Sequence, residues 1–188
     1  MSNLNIRCWH SEHSFYTVNF ALPGLILWGL FAPGFVLIFI LKNRQHLNDE
    51  GMRSRFGFLL LGYKSNLFFW EFIIIYRKIA IVLISVFLST VSNSVQGQAA
   101  FLVLIIAFYI QSVYLPFQVD KLNKLEQMSI LTAATTIYCG LWYMTEDMGA
   151  EMEILLFMLI LVANSIFVIT WLHGIIQAYA ILLCHRNP

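Results

Sequence analysis

Charge is what this sequence has least of. Only 11% of its 188 residues are Asp, Glu, Lys or Arg, against about 25% in soluble proteins. That excludes a soluble enzyme, a disordered chain and a nucleic-acid binder. The 11 basic and 10 acidic residues leave a net charge of +1, so the total implies no strong electrostatic partner. Cysteine is scarce and odd in number. Cys8, Cys139 and Cys184 fit no metal-binding spacing. Cys139 and Cys184 lie in apolar stretches, where the thiol packs as a small apolar group. Cys8 lies in a polar lead-in and could pair with another chain on an oxidising side.

Targeting and catalytic signatures are also missing. Residues 2–13 are polar with Arg7 as their one basic residue, and no small-residue cleavage site follows the first apolar run. This is neither a signal peptide nor an Arg-rich transit peptide. Insertion is expected to rely on the first membrane segment or on sequence upstream. There is no HExxH, no phosphate-binding glycine loop and no G-x-S-x-G. His10 and His13 have only Cys8 and Glu12 near them in sequence, and a haem or quinone site wants histidines on two spans. Only the last span holds one, His173. The chain therefore reads as non-enzymatic, with no catalytic, cofactor or metal site.

What is present is apolar. Hydrophobic residues make up 60% of the chain, with a mean hydropathy of +0.76. Four runs are free of Asp, Glu, Lys and Arg: residues 14–41, 79–119, 127–145 and 154–184. A membrane helix needs roughly 20 residues. The second run is long enough for two, with Ser92–Gln98 as the turn between them. The sequence thus predicts an all-α, polytopic membrane bundle of about five helices, near residues 16–41, 67–91, 98–115, 127–144 and 154–183. A polar, extracytoplasmic lead-in over residues 1–15 would precede a single transmembrane domain over 16–188. The apolar runs do not alternate, which argues against a β-barrel.

Basic residues set the orientation. Lys42, Arg44, Arg53, Arg55 and Lys64 lie between the first and second helices, Lys121 and Lys124 between the third and fourth, and Arg186 after the fifth. The other two loops hold none, and 145–153 carries Glu146, Asp147, Glu151 and Glu153. The alternation places the N-terminus outside and the C-terminus inside. The acidic loop could concentrate cations at an outer mouth, although it also follows from basic residues staying inside. No outer loop is long enough for an obvious re-entrant filter.

Pro23 and Pro33, with Gly24, Gly29 and Gly34, mark the first span as a kinked helix or a hinge. Trp70, Glu71, Arg77 and Lys78 interrupt the start of the second. Glu71 and Lys78 share one face, and Glu71 lacks a cation four residues on. An interfacial stretch turning into the span near Ile79 fits them, with Arg77 and Lys78 reaching lipid phosphates or loop carboxylates. A gating role is the alternative. Gln111, Asn164, Ser165 and His173 are polar groups expected to bond between helices.

Several blocks occur in order: Arg55-Phe56-Gly57-Phe58-Leu59, Gly62-Tyr63-Lys64, Trp70-Glu71, Arg77-Lys78, Pro116-Phe117, Asn123-x-Leu125-Glu126 and Gly140-Leu141. Together they resemble the multi-helix transmembrane module of large ciliate and oomycete surface proteins, which is loosely similar to TRP and polycystin channels. The resemblance covers about residues 22–144. It implies a cysteine-rich or repeat-rich extracellular region ahead of the first helix. This chain starts at Met1 without one, so it reads as a small relative or the last part of a longer product.

The resemblance implies a non-enzymatic membrane anchor or channel-like component of a larger assembly, at the cell surface or in a ciliary membrane. Glu71, Arg77 and Lys78 would set the second helix, and Glu146, Asp147, Glu151 and Glu153 the outer acidic surface. The expected partners are the lipid bilayer and other membrane chains, with no nucleic acid. An accessory subunit of a mitochondrial inner-membrane complex is the second reading, and a small transporter the third. The third lacks an inverted repeat with paired broken helices.

Overall fold

The computed structural model describes residues 15–46, 49–60, 62–88, 91–144 and 149–186. Among them the fold is helical, with α1 at Thr17–Lys42, α2 at Glu50–Leu60, α3 at Trp70–Phe87, α4 at Asn93–Tyr114, α5 at Asp120–Trp142 and α6 at Ala150–Arg186. Each of the five expected helices is present. Three of them, α1, α4 and α6, are long and apolar enough to cross a membrane by length and composition. The first turns of α3 and α5 hold Glu71 and Asp120, with Lys121, Lys124 and Glu126 soon after in α5.

Contacts along the chain gather into two units. The first comprises residues up to Leu61 together with Phe68–Ile79, and the second Gly62–Leu67 with everything from Ala80 on.

In the first unit α1 stays helical through both prolines but widens ahead of each. The stretches Thr17–Ala21 and Ile26–Phe31 are π-helical, and the α-helical stretches Leu22–Leu25 and Ala32–Lys42 carry Pro23 and Pro33 in their first turns. A proline cannot donate to the carbonyl four residues back, and its ring crowds that carbonyl. The turn therefore opens by one residue. Leu22 N–H reaches Thr17 O, and Ala32 N–H reaches Leu27 O, each five residues back. Ile40, Leu59 and Phe72 form the core here, with Val36, Leu37, Phe56 and Tyr76 packed against them. A short 3-10 turn at Arg44–His46 lies ahead of α2, a helix that the sequence reading did not anticipate. Arg53 and Arg55 read there as loop charge, yet Glu50 at the first turn suits the helix dipole.

Two expectations need correction. No turn occurs near Ile79, because α3 is one unbroken α-helix through that residue. Nor is Ser92–Gln98 a turn. Ser92 is the N-cap of α4, extended at φ −167°, and its Oγ accepts from Val95 N–H at 3.1 Å. A capped first turn is polar for the same reason that a loop is: its orphan N–H groups need oxygen partners. The link between α3 and α4 is correspondingly short, with Val91 N–H bonded to Leu88 O at 3.0 Å.

In the second unit α4 packs against α5 and α5 against α6. Leu104, Ile130 and Ala134 are the buried centre, joined by Ile81, Phe101, Phe108 and Ile137. Gly97 lets α4 approach α5 closely, since a Cβ there would lie 2.6 Å from Leu141 Cδ2. Among the described side chains of α6, Leu156 alone is buried, and Phe157, Ile169 and Tyr179 are among many large apolar groups left exposed.

Candidate functional site

The charged start of α3 splits between faces. Trp70, Ile74 and Arg77 share one stripe at helical spacing, with Trp70 only 3% exposed, Ile74 buried and Arg77 half-buried. Glu71 is half-buried and Lys78 exposed. Trp70, Glu71 and Arg77 each have an interaction partner. On another face Phe72 and Tyr76 meet the core of the first unit. The four residues therefore do not converge on one point. Of the four acids expected on the outer side, Glu151 and Glu153 are exposed in the first turn of α6, where carboxylates oppose the positive helix end. Glu146 and Asp147 lie outside the described residues.

The most constructed feature lies elsewhere, in the loop between α4 and α5. Leu115 ends α4 in the left-handed conformation at φ +43°, and its N–H still bonds Gln111 O at 3.1 Å. The chain then turns through the buried Pro116 into an extended Phe117–Gln118. This segment pairs in antiparallel fashion with Gly62–Lys64. Lys64 N–H donates to Pro116 O at 2.9 Å, and Gln118 N–H donates to Gly62 O at 2.9 Å. Gln118 Nε2 adds a bond to Tyr63 O at 2.7 Å. The Tyr63 and Phe117 rings stack with centroids 4.8 Å apart. Gly62 holds φ +96°, where a side chain would be strained.

Asn123, 2% exposed in the first turns of α5, locks this clamp from within. Its Oδ1 accepts from Phe117 N–H and its Nδ2 donates to Phe117 O, both at 2.9 Å. One amide side chain thus serves both backbone groups of one residue, as a neighbouring strand would. Its hydrogen bonds run to its own backbone, so the clamp holds the geometry of this loop. The sequence resemblance ran through Gly62-Tyr63-Lys64, Pro116-Phe117 and Asn123 as separate blocks and did not join them to one another. It missed Gln118 and the left-handed Leu115, for which Pro116 was the available signal.

Three polar contacts register α5 against α6 as an antiparallel pair. Lys121 Nζ donates to Gln177 Oε1 at 3.1 Å, Asn164 Nδ2 to Thr136 Oγ1 at 3.2 Å, and the Tyr143 phenol to Glu153 O. Residues 121 and 143 are about 33 Å apart along the helix. Gln177 also meets His173 Nε2 at 2.8 Å. An open groove of about 260 Å3, lined by Leu122, Leu125, Phe167 and Trp171, runs between the two helices, and a cavity of about 320 Å3 lies by Gly97 and Leu141 among α3, α4 and α5. Among the described residues no group of three or more His, Cys, Asp or Glu side chains converges to hold a metal.

No family model matches this sequence, and no solved structure matches it. Over 154 residues the chain is 24% identical to cysteine repeat modular protein A of Toxoplasma gondii, a match covering 79% of this chain and 5% of that protein. The chain therefore spans about one-twentieth of the length of the curated relative that it matches.

Proposed function

We propose that this chain is a non-enzymatic transmembrane module, similar to that of large protist surface proteins, which serves as the membrane anchor or channel-like component of a larger assembly. The observation that carries the reading is α6, whose large apolar side chains are exposed on every face except the stripe of Leu156, Ile160, Ala163 and Phe167. In water such a surface is untenable, and lipid or a neighbouring membrane chain covers it at no such cost. The anchor role is supported by the relative, a protein named for its cysteine repeats of which this apolar segment matches only a small fraction.

Five spans follow in this reading, with α3 and α5 crossing beside the three more apolar helices. The α5–α6 register supports a crossing α5, because its end contacts stand about 33 Å apart and a bilayer core is roughly 30 Å thick. The N-terminus lies outside and the basic α4–α5 loop inside. An impermeant thiol reagent applied to intact cells is expected to label Cys8 and to reach Cys184 only after permeabilisation. Labelling of Cys184 alone from outside refutes the orientation.

Conduction is the part most easily lost. Liposomes holding the protein that pass no cations, or flux unaffected by neutralising Glu146, Asp147, Glu151 and Glu153, leave the anchor alone. The cell surface or ciliary membrane is the proposed location, and recovery of the native protein within a mitochondrial inner-membrane complex overturns it.

A further inference from the structure

Lys78 stands midway along α3, between Trp70 and Phe87. Its side chain is exposed, and among the described residues no hydrogen bond or ion pair holds it, whereas Glu71 and Arg77 each have a partner. Val82, 55% exposed, and Val86, 54% exposed, continue the same stripe at helical spacing. The stripe is thus a free cation followed by two apolar side chains.

Under the reading that α3 crosses the bilayer, on which this inference rests, the depth of Lys78 follows from helix length. Lys78 lies about 14 Å along the axis from Phe87, where α3 ends. The link beyond is tight, with Val91 N–H bonded to Leu88 O, and Ser92 already caps α4. In a core roughly 30 Å thick, Lys78 is therefore near the middle. A lysine stem reaches about 6 Å, too little to bring the ammonium to either face. Nor does a bend lift it, because α3 runs unbroken through Ile79.

An ammonium at that depth takes a partner of opposite charge. It can only donate, and lipid tails offer no acceptor. We propose that the stripe of Lys78, Val82 and Val86 is the docking face for a transmembrane helix of another chain, one that carries a carboxylate at mid-depth. A second copy meeting through this same stripe would set Lys78 against Lys78, so the partner is a different chain.

Fluorescence energy transfer in liposomes, between the labelled full chain and a synthetic polyleucine transmembrane peptide with one central Asp, tests this. The Asp peptide is expected to bind about tenfold more tightly than an all-leucine peptide, the scale of one polar contact between membrane helices. Lys78→Met should abolish the preference, and Lys78→Arg should keep it. Equal binding of the two peptides to the parent chain, or a preference that survives Lys78→Met, overturns the proposal. So does a disulfide-linked dimer of Val82→Cys in membranes, which marks a second copy as the occupant.

Thiol labelling separates this proposal from the crossing it assumes. Cys8→Ser and Cys184→Ser leave only the buried Cys139. In that background Ser65→Cys and Val91→Cys, on either side of α3, are expected to react from opposite faces of sealed vesicles. Reaction from one face refutes the crossing and the docking face with it. Opposite faces with no peptide preference refute the docking face alone.

Discussion

The phenol of Tyr76 donates to the carbonyl oxygen of Leu30 at 3.2 Å, joining α3 to α1 across 46 residues. That carbonyl belongs to the π-helical stretch ahead of Pro33. Gly34 leaves room for the bond, since a Cβ there would stand 3.0 Å from the same phenol oxygen. Tyr76→Phe is expected to cost about 1 kcal/mol, the usual net value of one hydrogen bond. Gly34→Val should cost more than Gly34→Ala, because its branches push the phenol further. Thermal unfolding in detergent measures all three.

Asn123 carries a larger effect. Asn123→Ala strips both partners from Phe117 within a buried clamp, so a loss of roughly 2–4 kcal/mol is expected. Asn123→Asp should fail as well, because its second oxygen would face Phe117 O, where Nδ2 now donates. A midpoint of unfolding within error of the parent chain for either variant would refute the clamp as a stabilising element.

Gly97 separates helix propensity from packing. Gly97→Ala gains up to about 1 kcal/mol of helix propensity, which offsets the shift it asks of the Leu141 side chain. A near-neutral outcome is expected. Gly97→Ile has no such compensation and should cost about 1–3 kcal/mol, recovered in part by Leu141→Ala. A double-mutant cycle on unfolding free energies reads the recovery. Equal costs with and without Leu141 would place the contact elsewhere.

Asn164 bonds Thr136 across α5 and α6 at 3.2 Å and also its own helix at Ile160 O. Bonds of this kind between membrane helices average about 0.6 kcal/mol. Asn164→Leu should therefore destabilise only slightly, and Thr136→Val should add little to it. A coupling energy above about 2 kcal/mol would exceed what one such bond supplies.

The helices were legible where charge was absent. Runs free of ionisable residues pointed to all five long elements, three of which are long and apolar enough to cross a membrane. Their starts were misjudged wherever a polar first turn resembled a loop. Ser92 caps α4, and Asp120 to Glu126 already wind α5. Helix α2 escaped because Gly51, Arg53, Arg55 and Gly57 carry no apolar periodicity. The clamp was illegible for another reason. Its halves lie far apart in sequence, and no local pattern records which distant backbone completes a short extended segment. The α5–α6 register likewise rests on Lys121, Thr136, Asn164 and Gln177, polar residues that single-chain reading could assign only to helix packing in general.

The clamp also orders events during synthesis. Asn123 reaches Phe117 across six residues, whereas Gln118 reaches Tyr63 across 55. The first closure spans one short loop and costs little entropy. The second draws a 55-residue loop together, so Tyr63 waits while α3, α4 and Gln118 are made. At ordinary translation rates that delay is about 3–11 s. Until then the Gly62 carbonyl and the Lys64 N–H are without the backbone partners that the finished fold gives them.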